Sequence, residues 1–543
     1  MVPLPEEDVL RWIFALLLAF TLQAQELHLQ VLASTDTHGH ILPLDSFTLK
    51  PEGEGWARLA TLVRERRAAN PNTLLLDCGD TLQGEPLNYV RTKLHPELPE
   101  PAVAVMNDLG YSAMALGNHD FDWGMEVLRR TEKEARFPFL SANTVQAANG
   151  KEAFTPSITV EVAGVKVAIL GLTTPGVPRW EEPWCYAGLR FLDPVEVARN
   201  LVPRLRQQAD LVIVAMHGGL GRLPGRADDA NFALRLAEEV PGIDLLLIGH
   251  THQPVCTTHK GVAILQAHVY GRVLARAEFT LVRSGNRWRP AAPPLTELLP
   301  VSAEGPQDPK VLELTAELRR ETDRYLDTLA TNLTTDLDGR WARIEDGPLM
   351  QLLHSVQREA AGAQLSAASV PPPRLYIPKG QTSIRQFWPL MPYENRVARI
   401  RISGAQLKAY LEHAASSFGF SHQPELFAPG MAYYDVDTVS GCSYALDLTK
   451  PVGNRVVDLV FQGRPVLPEQ GFTLALNTFR LYGGSGYMEA IGFKGQPEMV
   501  TTLGLRNLLF QRLLAKPNLD PEGAPPTWRT IPFLDRERLL KVP

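Results

Sequence analysis

Cysteine is scarce in this chain, four in 543 residues. Cys78, Cys185, Cys256 and Cys442 lie far apart and match no zinc-ribbon spacing. They allow three complete pairings or none, and Cys78, at the end of an apolar strand, reads as a small buried thiol. An excess of positive charge is also lacking: 54 Lys and Arg stand against 60 Asp and Glu, a net charge of −6. Nothing global therefore attracts DNA, and any anionic ligand must be gripped locally. After residue 22 no uncharged run reaches the length that crosses a bilayer, which predicts no stable membrane span, and no internal repeat is present. What the chain does have is 45% hydrophobic and 21% charged residues, enough for sizeable cores and too many apolar residues for disorder. Its 41 glycines and 44 prolines point to many loops rather than long helical bundles.

One short apolar run stands apart. Trp12 to Leu22 is apolar except for Thr21, follows Arg11, and is too short to span a membrane. It reads as the core of a signal peptide over residues 1–24, with cleavage near Ala24 and export to the periplasm or the medium. Glu6, Glu7 and Asp8 place acid where such a leader is basic, and the competing reading is a buried N-terminal strand.

From Leu27 to about Arg283 short apolar strands alternate with helical stretches such as Trp56 to Ala69, the pattern of a layered α/β domain. Pro290 to Pro309 is rich in proline and polar residues and marks a boundary. Val311, Leu314, Leu318, Thr322, Tyr325 and Leu329 then recur at three- and four-residue spacing, which predicts a bridging helix of about 20 residues. A second α/β unit follows, with strands over Val397 to Ile402 and Val456 to Phe461 and a loop at Pro371 to Pro373. The expected division is a catalytic domain over 25–300, a linker and bridging helix over 301–332, and a second domain over 333–543.

Polar residues sit directly after five apolar strands. These are Asp36-Thr37-His38, Asp77-Cys78-Gly79-Asp80, Gly117-Asn118-His119-Asp120-Phe121-Asp122, His217-Gly218-Gly219 and Gly249-His250-Thr251-His252. In α/β sheets ligands collect outside the carboxyl ends of strands, so five such ends can converge on one site. Asp36, His38, Asp80, Asn118, His217, His250 and His252 supply carboxylate, amide and imidazole donors without a thiolate, a set suited to two divalent cations among Mn, Zn, Fe and Co. Two cations about 3.5–4 Å apart need a shared anion, and Asp80 is the expected bridge. Gly79, Gly117 and Gly249 permit the tight approach of these loops.

The order of these motifs resembles that of the calcineurin-like metallophosphoesterases, and the long carboxyl half resembles the secreted 5'-nucleotidase and 2',3'-cyclic-nucleotide phosphodiesterase family. The resemblance implies a four-layer β-sandwich flanked by helices, joined by a helix to a nucleotide-binding α/β domain. It implies one metal on Asp36, His38 and His252, a second on Asn118, His217 and His250, Asp80 between them, and His119 with Asp122 as the catalytic dyad. It further implies hydrolysis of a nucleotide phosphoester by water that the cations activate. Met391-Pro392-Tyr393-Glu394-Asn395, Ile402-Ser403-Gly404, the Leu446 to Arg455 stretch and Asn477 through Tyr487 resemble the family's nucleotide-binding half, in which two aromatic rings sandwich the base. Tyr434 is expected as one ring and Tyr482 or Tyr487 as the other, with Asn477 beside them.

Within the family, Leu365-Ser366-Ala367-Ala368-Ser369 replaces the Asn-x-Gly-x-Ile-Arg stretch common in 5'-nucleotidases. Gly79 to Leu87, Asp122-Trp123-Gly124 and Asn477-Thr478-Phe479-Arg480 look more like the cyclic phosphodiesterases. The expected activity is a 2',3'-cyclic-nucleotide 2'-phosphodiesterase with 3'-nucleotidase activity. The alternatives are a 5'-nucleotidase or UDP-sugar hydrolase, and, from another class, a non-catalytic nucleotide-binding protein. Mass spectrometry of the mature chain is expected to give an N-terminus near residue 25, and an intact Met1 would overturn export.

Overall fold

The parity of residues along each strand decides which of two cores a side chain enters. In strand Glu26–Ser34, Leu29, Val31 and Ala33 face one side and Leu32 the other, the two-residue alternation of a pleated strand. Thr73–Asp77 repeats this with Leu74 and Leu76 against Leu75, and Leu211–His217 with Ile213 and Ala215 against Val212 and Val214. Both faces are apolar because both are covered.

The computed structural model describes residues 26–221, 230–419, 426–427, 432–520, 526–534 and 536. The expected leader over residues 1–24 lies outside them. Two sheets form the amino-terminal half. In the first, Glu26–Ser34, Thr73–Asp77 and Ala113–Ala115 run parallel, and Glu26–Ser34 also pairs antiparallel with Val273–Ser284. In the second, Val165–Thr173, Leu211–His217, Leu245–Ile248 and Val262–Gln266 run parallel. The sheets pack face to face through Leu29, Leu76, Ile169, Ile213, Leu247 and Phe279. Helices Trp56–Ala69 and Pro101–Leu109 cover one outer face, and Pro194–Gln208 and Ala233–Glu239 the other. The result is the expected helix–sheet–sheet–helix stack.

The bridging helix forms in two pieces, Pro309–Leu314 and Ala316–Leu326, instead of one helix of about 20 residues. Thr315 interrupts it at φ −104°, ψ −1°, its hydroxyl returning to the Val311 carbonyl at 2.8 Å. A threonine hydroxyl competes for helix carbonyls in this way. Leu318 and Thr322 remain on the buried face, as their spacing predicts.

The carboxyl half has a five-stranded sheet ordered Asp437–Ser440, Leu365–Ser369, Gly471–Asn477, Arg396–Ser403 and Met499–Gly504, with helices Pro348–Ala361, Gly404–Ala415 and Leu505–Leu514. A smaller sheet built on Ser443–Asp447 lies beside it. The halves share apolar contacts: Tyr89 stacks near Tyr325 at 5.9 Å and meets Trp388 edge-on at 5.3 Å, and the Arg506 guanidinium lies 4.0 Å from the Trp388 ring. Among the described residues no helix is long and apolar enough to cross a membrane.

Arg480 and Asp437 form an ion pair 2.8 Å apart with both side chains almost wholly buried. Asp437 also accepts from Tyr410 at 2.5 Å. Removing one partner strands the other's charge, so Asp437→Ala is expected to cost about 3–5 kcal/mol in a denaturant unfolding curve.

Candidate metal centre and adjoining pocket

Parallel pairing puts the carboxyl ends of the strands in each sheet at one edge, and face-to-face packing brings the two edges together. Asp36 and His38 follow Glu26–Ser34, Asp80 follows Thr73–Asp77, and Asn118 and His119 follow Ala113–Ala115. From the other sheet come His217, the last residue of its strand, and His250 and His252 after Leu245–Ile248. Five of these residues have left-handed backbones: Asp36 (φ 50°), His38 (47°), Asp80 (54°), His250 (78°) and His252 (56°). Each such residue costs on the order of 1–3 kcal/mol, and strain of this kind concentrates at functional sites. Gly79 turns at φ 87°, while Gly117 serves by having no side chain: a Cβ there would lie 2.2 Å from Asp80 Oδ1.

Two donor clusters result. Asp36, His38 and His252 form one, and Asp80, His217 and His250 the other, the donor atoms of each within 4.8 Å of one another. Asn118 lies beside them on the wall of the adjoining cavity. His38 Nδ1 is held by the Gln83 carbonyl at 3.0 Å, so its proton resides there and Nε2 presents a lone pair to His252 Nε2, 3.1 Å away. His217 Nδ1 is held by the Cys78 carbonyl at 2.7 Å, and Nε2 stands 3.0 Å from Asp80 Oδ2 at an angle that makes no hydrogen bond. Asn118 Oδ1 is likewise buried without a partner. Buried, partnerless His217 Nε2 and Asn118 Oδ1 beside carboxylate and imidazole donors are atoms that a cation among them would engage, so the donors present fit two divalent ions. Burial pushes His38 and His250 down to about 3, keeping them neutral. Burial alone would raise Asp80, but His217 and His119 hold it well below the usual carboxylate range.

Asp120 staples this centre, a role the motif reading did not assign. Its carboxylate accepts the backbone N–H groups of Gly117 (2.8 Å), Asp80, Thr81 and Leu82 (3.0 Å each). His119 Nδ1 is 3.1 Å from Asp122 Oδ2 and 3.7 Å from Glu181 Oε1. Burial would lower the His119 imidazole, but Asp122 and Asp80 raise it well above its ordinary value.

Beside the clusters lies a cavity of about 560 Å³ walled by both halves of the chain. Asn118, His119, Asp122 and His250 line one side, and Tyr393, Tyr433, Tyr434 and Phe479 the other. The Tyr393 ring stacks on His119, centroids 5.5 Å apart at 18°. Tyr434 lines this wall, 44% exposed. Asn477 lines the cavity too, but its side chain caps the helix Thr478–Leu481 through the Arg480 N–H at 2.9 Å. Two expectations are corrected. Tyr487 is wholly buried, its ring 4.4 Å from Tyr410 and its hydroxyl tied to Asp435 and Asp437, so it presents no face to a ligand. Tyr482 lies outside the cavity wall, near Tyr186, Glu182 and Arg396. The ring facing the cavity from that stretch is Phe479, within the Asn477-Thr478-Phe479-Arg480 motif. Arg480 bonds Ser485 Oγ at 2.8 Å, Ser369 Oγ at 3.0 Å and the Tyr434 carbonyl, tying together the segments that carry Tyr434 and Phe479. Across the domains, Glu182 accepts from Thr478 Oγ1 at 2.7 Å and Arg396 Nε at 2.8 Å.

Residues 29–254 match the calcineurin-like phosphoesterase family and residues 326–491 the 5'-nucleotidase C-terminal domain. The chain is 26% identical over 531 residues to a trifunctional nucleotide phosphoesterase of Bacillus subtilis, with 86% of this chain aligned to 36% of that longer protein. A 2',3'-cyclic-nucleotide 2'-phosphodiesterase/3'-nucleotidase of Haemophilus influenzae is 26% identical over 529 residues, covering 84% of this chain and 80% of its own length. A Staphylococcus aureus structure solved with alpha-ketoglutarate shares the fold, with a TM-score of 0.82 at 23% identity over 93% of this chain and all of that one.

Proposed function

From a chain that joins a calcineurin-like phosphoesterase domain to a 5'-nucleotidase C-terminal domain and is thus a phosphoester hydrolase, we propose that it acts as a 2',3'-cyclic-nucleotide 2'-phosphodiesterase with 3'-nucleotidase activity. The observation that supports this reading is a single cavity that abuts both donor clusters, through His252 of one and Asp80 and His250 of the other, and is lined as well by His119 and by aromatic rings of the carboxyl half. The phosphate lies at the clusters and the base between Tyr434 and Phe479, where stacking contributes about 1–3 kcal/mol and tolerates any base.

Asp36, His38 and His252 would hold one cation and Asn118, His217 and His250 the other, with Asp80 available to both. When bound, the two ions supply water activated near neutral pH and screen charge on the phosphoryl oxygens. Asp122 fixes the proton of His119 Nδ1 and raises the imidazole above its ordinary value. His119 then delivers a proton from Nε2 to the leaving sugar oxygen. Tyr393 stacks on the ring of His119 and holds it toward the cavity. In the first step the P–O2' bond breaks and leaves a 3'-nucleotide. In the second the 3'-ester is cleaved to nucleoside and phosphate. The complete donor set disfavours a non-catalytic binding protein. A 5'-nucleotidase remains the second reading, favoured by the match of residues 326–491.

Turnover of 2',3'-cyclic AMP and 3'-AMP on Mn-loaded enzyme is expected to exceed that of 5'-AMP and UDP-glucose, and a clear preference for 5'-AMP would select the second reading. His119→Ala is expected to lower kcat by about 10²–10⁴-fold with metal content unchanged. Near-normal turnover in that variant would remove His119 from the reaction.

A further inference from the structure

A second group of donors lies on the far side of the Tyr270 ring, which packs against both His38 (5.9 Å) and His40 (5.4 Å). His40, Glu52 and Glu54 place donor atoms within 4.8 Å of one another, and His40 Nε2 is the nitrogen on the Glu52 side, 3.7 Å from Oε2. His40 is 93% buried at its side chain, and its Nε2 has no hydrogen-bond partner. Its other nitrogen is fully engaged, with Nδ1 2.8 Å from Glu85 Oε1 and Glu85 in turn held by Ser46 Oγ at 2.5 Å. A carboxylate that takes the Nδ1 proton and is itself anchored is the arrangement that orients imidazole ligands toward a metal.

No described protein atom hydrogen-bonds Nε2, although Glu85, Glu54 and Glu52 favour the charged ring against its burial. Neutral imidazole turns a lone pair toward two carboxylates. Protonated imidazole points its N–H at Glu52 Oε2, 3.7 Å away and beyond hydrogen-bonding distance. The surrounding charge is acidic, with Glu52, Glu54 and Glu85 against Arg272, which is paired to Glu54.

The backbone builds this arrangement deliberately. The loop after His40 folds back on itself, Leu44 bridging Pro51, the Glu52 N–H reaching the Pro43 carbonyl at 2.9 Å and Asp45 N–H the Lys50 carbonyl at 3.0 Å. Arg58 holds the Glu52 carbonyl at 2.6 Å, and the Trp56 N–H returns to the His40 carbonyl at 2.9 Å. Gly55, at φ 106°, permits the close approach, since a Cβ there would lie 2.8 Å from the Leu42 carbonyl carbon.

We propose that His40 Nε2, Glu52 and Glu54 form a third divalent-cation site that fastens the 43–54 loop beside the strand end carrying Asp36 and His38. One imidazole and two carboxylates suit zinc or manganese better than magnesium or calcium. Glu52, 37% exposed at its side chain, leaves the remaining coordination positions open to water.

The test is anomalous diffraction at the zinc edge from crystals of the full chain supplied with ~3 molar equivalents of zinc. A peak about 2.0–2.2 Å from His40 Nε2 and the carboxylates of Glu52 and Glu54 is expected. In the double variant Glu52→Gln, Glu54→Gln that peak disappears, peaks at the strand-end clusters persist, and elemental analysis shows one metal fewer per chain. Occupied strand-end clusters with no peak at His40 would overturn the proposal, as would an unchanged peak in the variant. If the variant does not fold, the wild-type map alone decides. Failure of the dimetal reading shows separately, as a His40 peak without peaks at the strand ends.

Discussion

The centre depends on the carboxylate of Asp120. It collects four backbone N–H groups, three from the loop after one strand and one from the loop after its neighbour. Asp80 and Asn118 are thereby held side by side, although both loops leave their sheets at sharp turns. Left-handed backbone of the kind found at Asp36, His38, Asp80, His250 and His252 persists only where surrounding structure over-determines it, and for Asp80 the Asp120 bonds are part of that structure. Parallel pairing within the sheets and packing between them then carry the two donor clusters to a common place.

The amino-terminal half was legible because its signals are local. Strand parity, five strand ends and the order of Asp, Asn and His are properties of short segments, and the structure brings their residues together as two donor clusters beside one cavity. The carboxyl half was less so. Tyr482 and Tyr487 sit beside a glycine-rich turn that resembles a binding loop, but Ser485 (φ 55°) and Gly486 (φ 73°) turn the chain inward and drive Tyr487 into the core. Phe479 faces the cavity from the very motif that was noted, yet which ring of that motif points outward depends on the Asn477 cap and the buried Arg480. Tyr393 and Glu181 acquire meaning only through contacts with His119, to which they are distant in sequence. The broken bridging helix had the right apolar face, and a hydroxyl bond at Thr315 lies below what periodicity resolves.

The two halves are coupled by more than a linker. Tyr89, Tyr325, Trp388 and Arg506 form an aromatic and cationic joint, and Glu182 of the first half is shared by Arg396 and Thr478 of the second. Thr478 immediately precedes Phe479, so the geometry of the cavity wall is tied to the relative placement of the halves. Base stacking and proton delivery are therefore parts of one spatial arrangement, set by contacts that neither half holds alone.

The imidazoles of His38 and His217 take their orientation from the main-chain carbonyls of Gln83 and Cys78. A carbonyl belongs to every amino acid, so no substitution at position 78 or 83 deletes the acceptor. The tautomers of these two donors are in that sense insulated from mutation. The genetic vulnerability of the centre shifts to insertions, deletions and backbone-altering changes in the two loops, and drift in side-chain chemistry at these positions leaves proton placement intact.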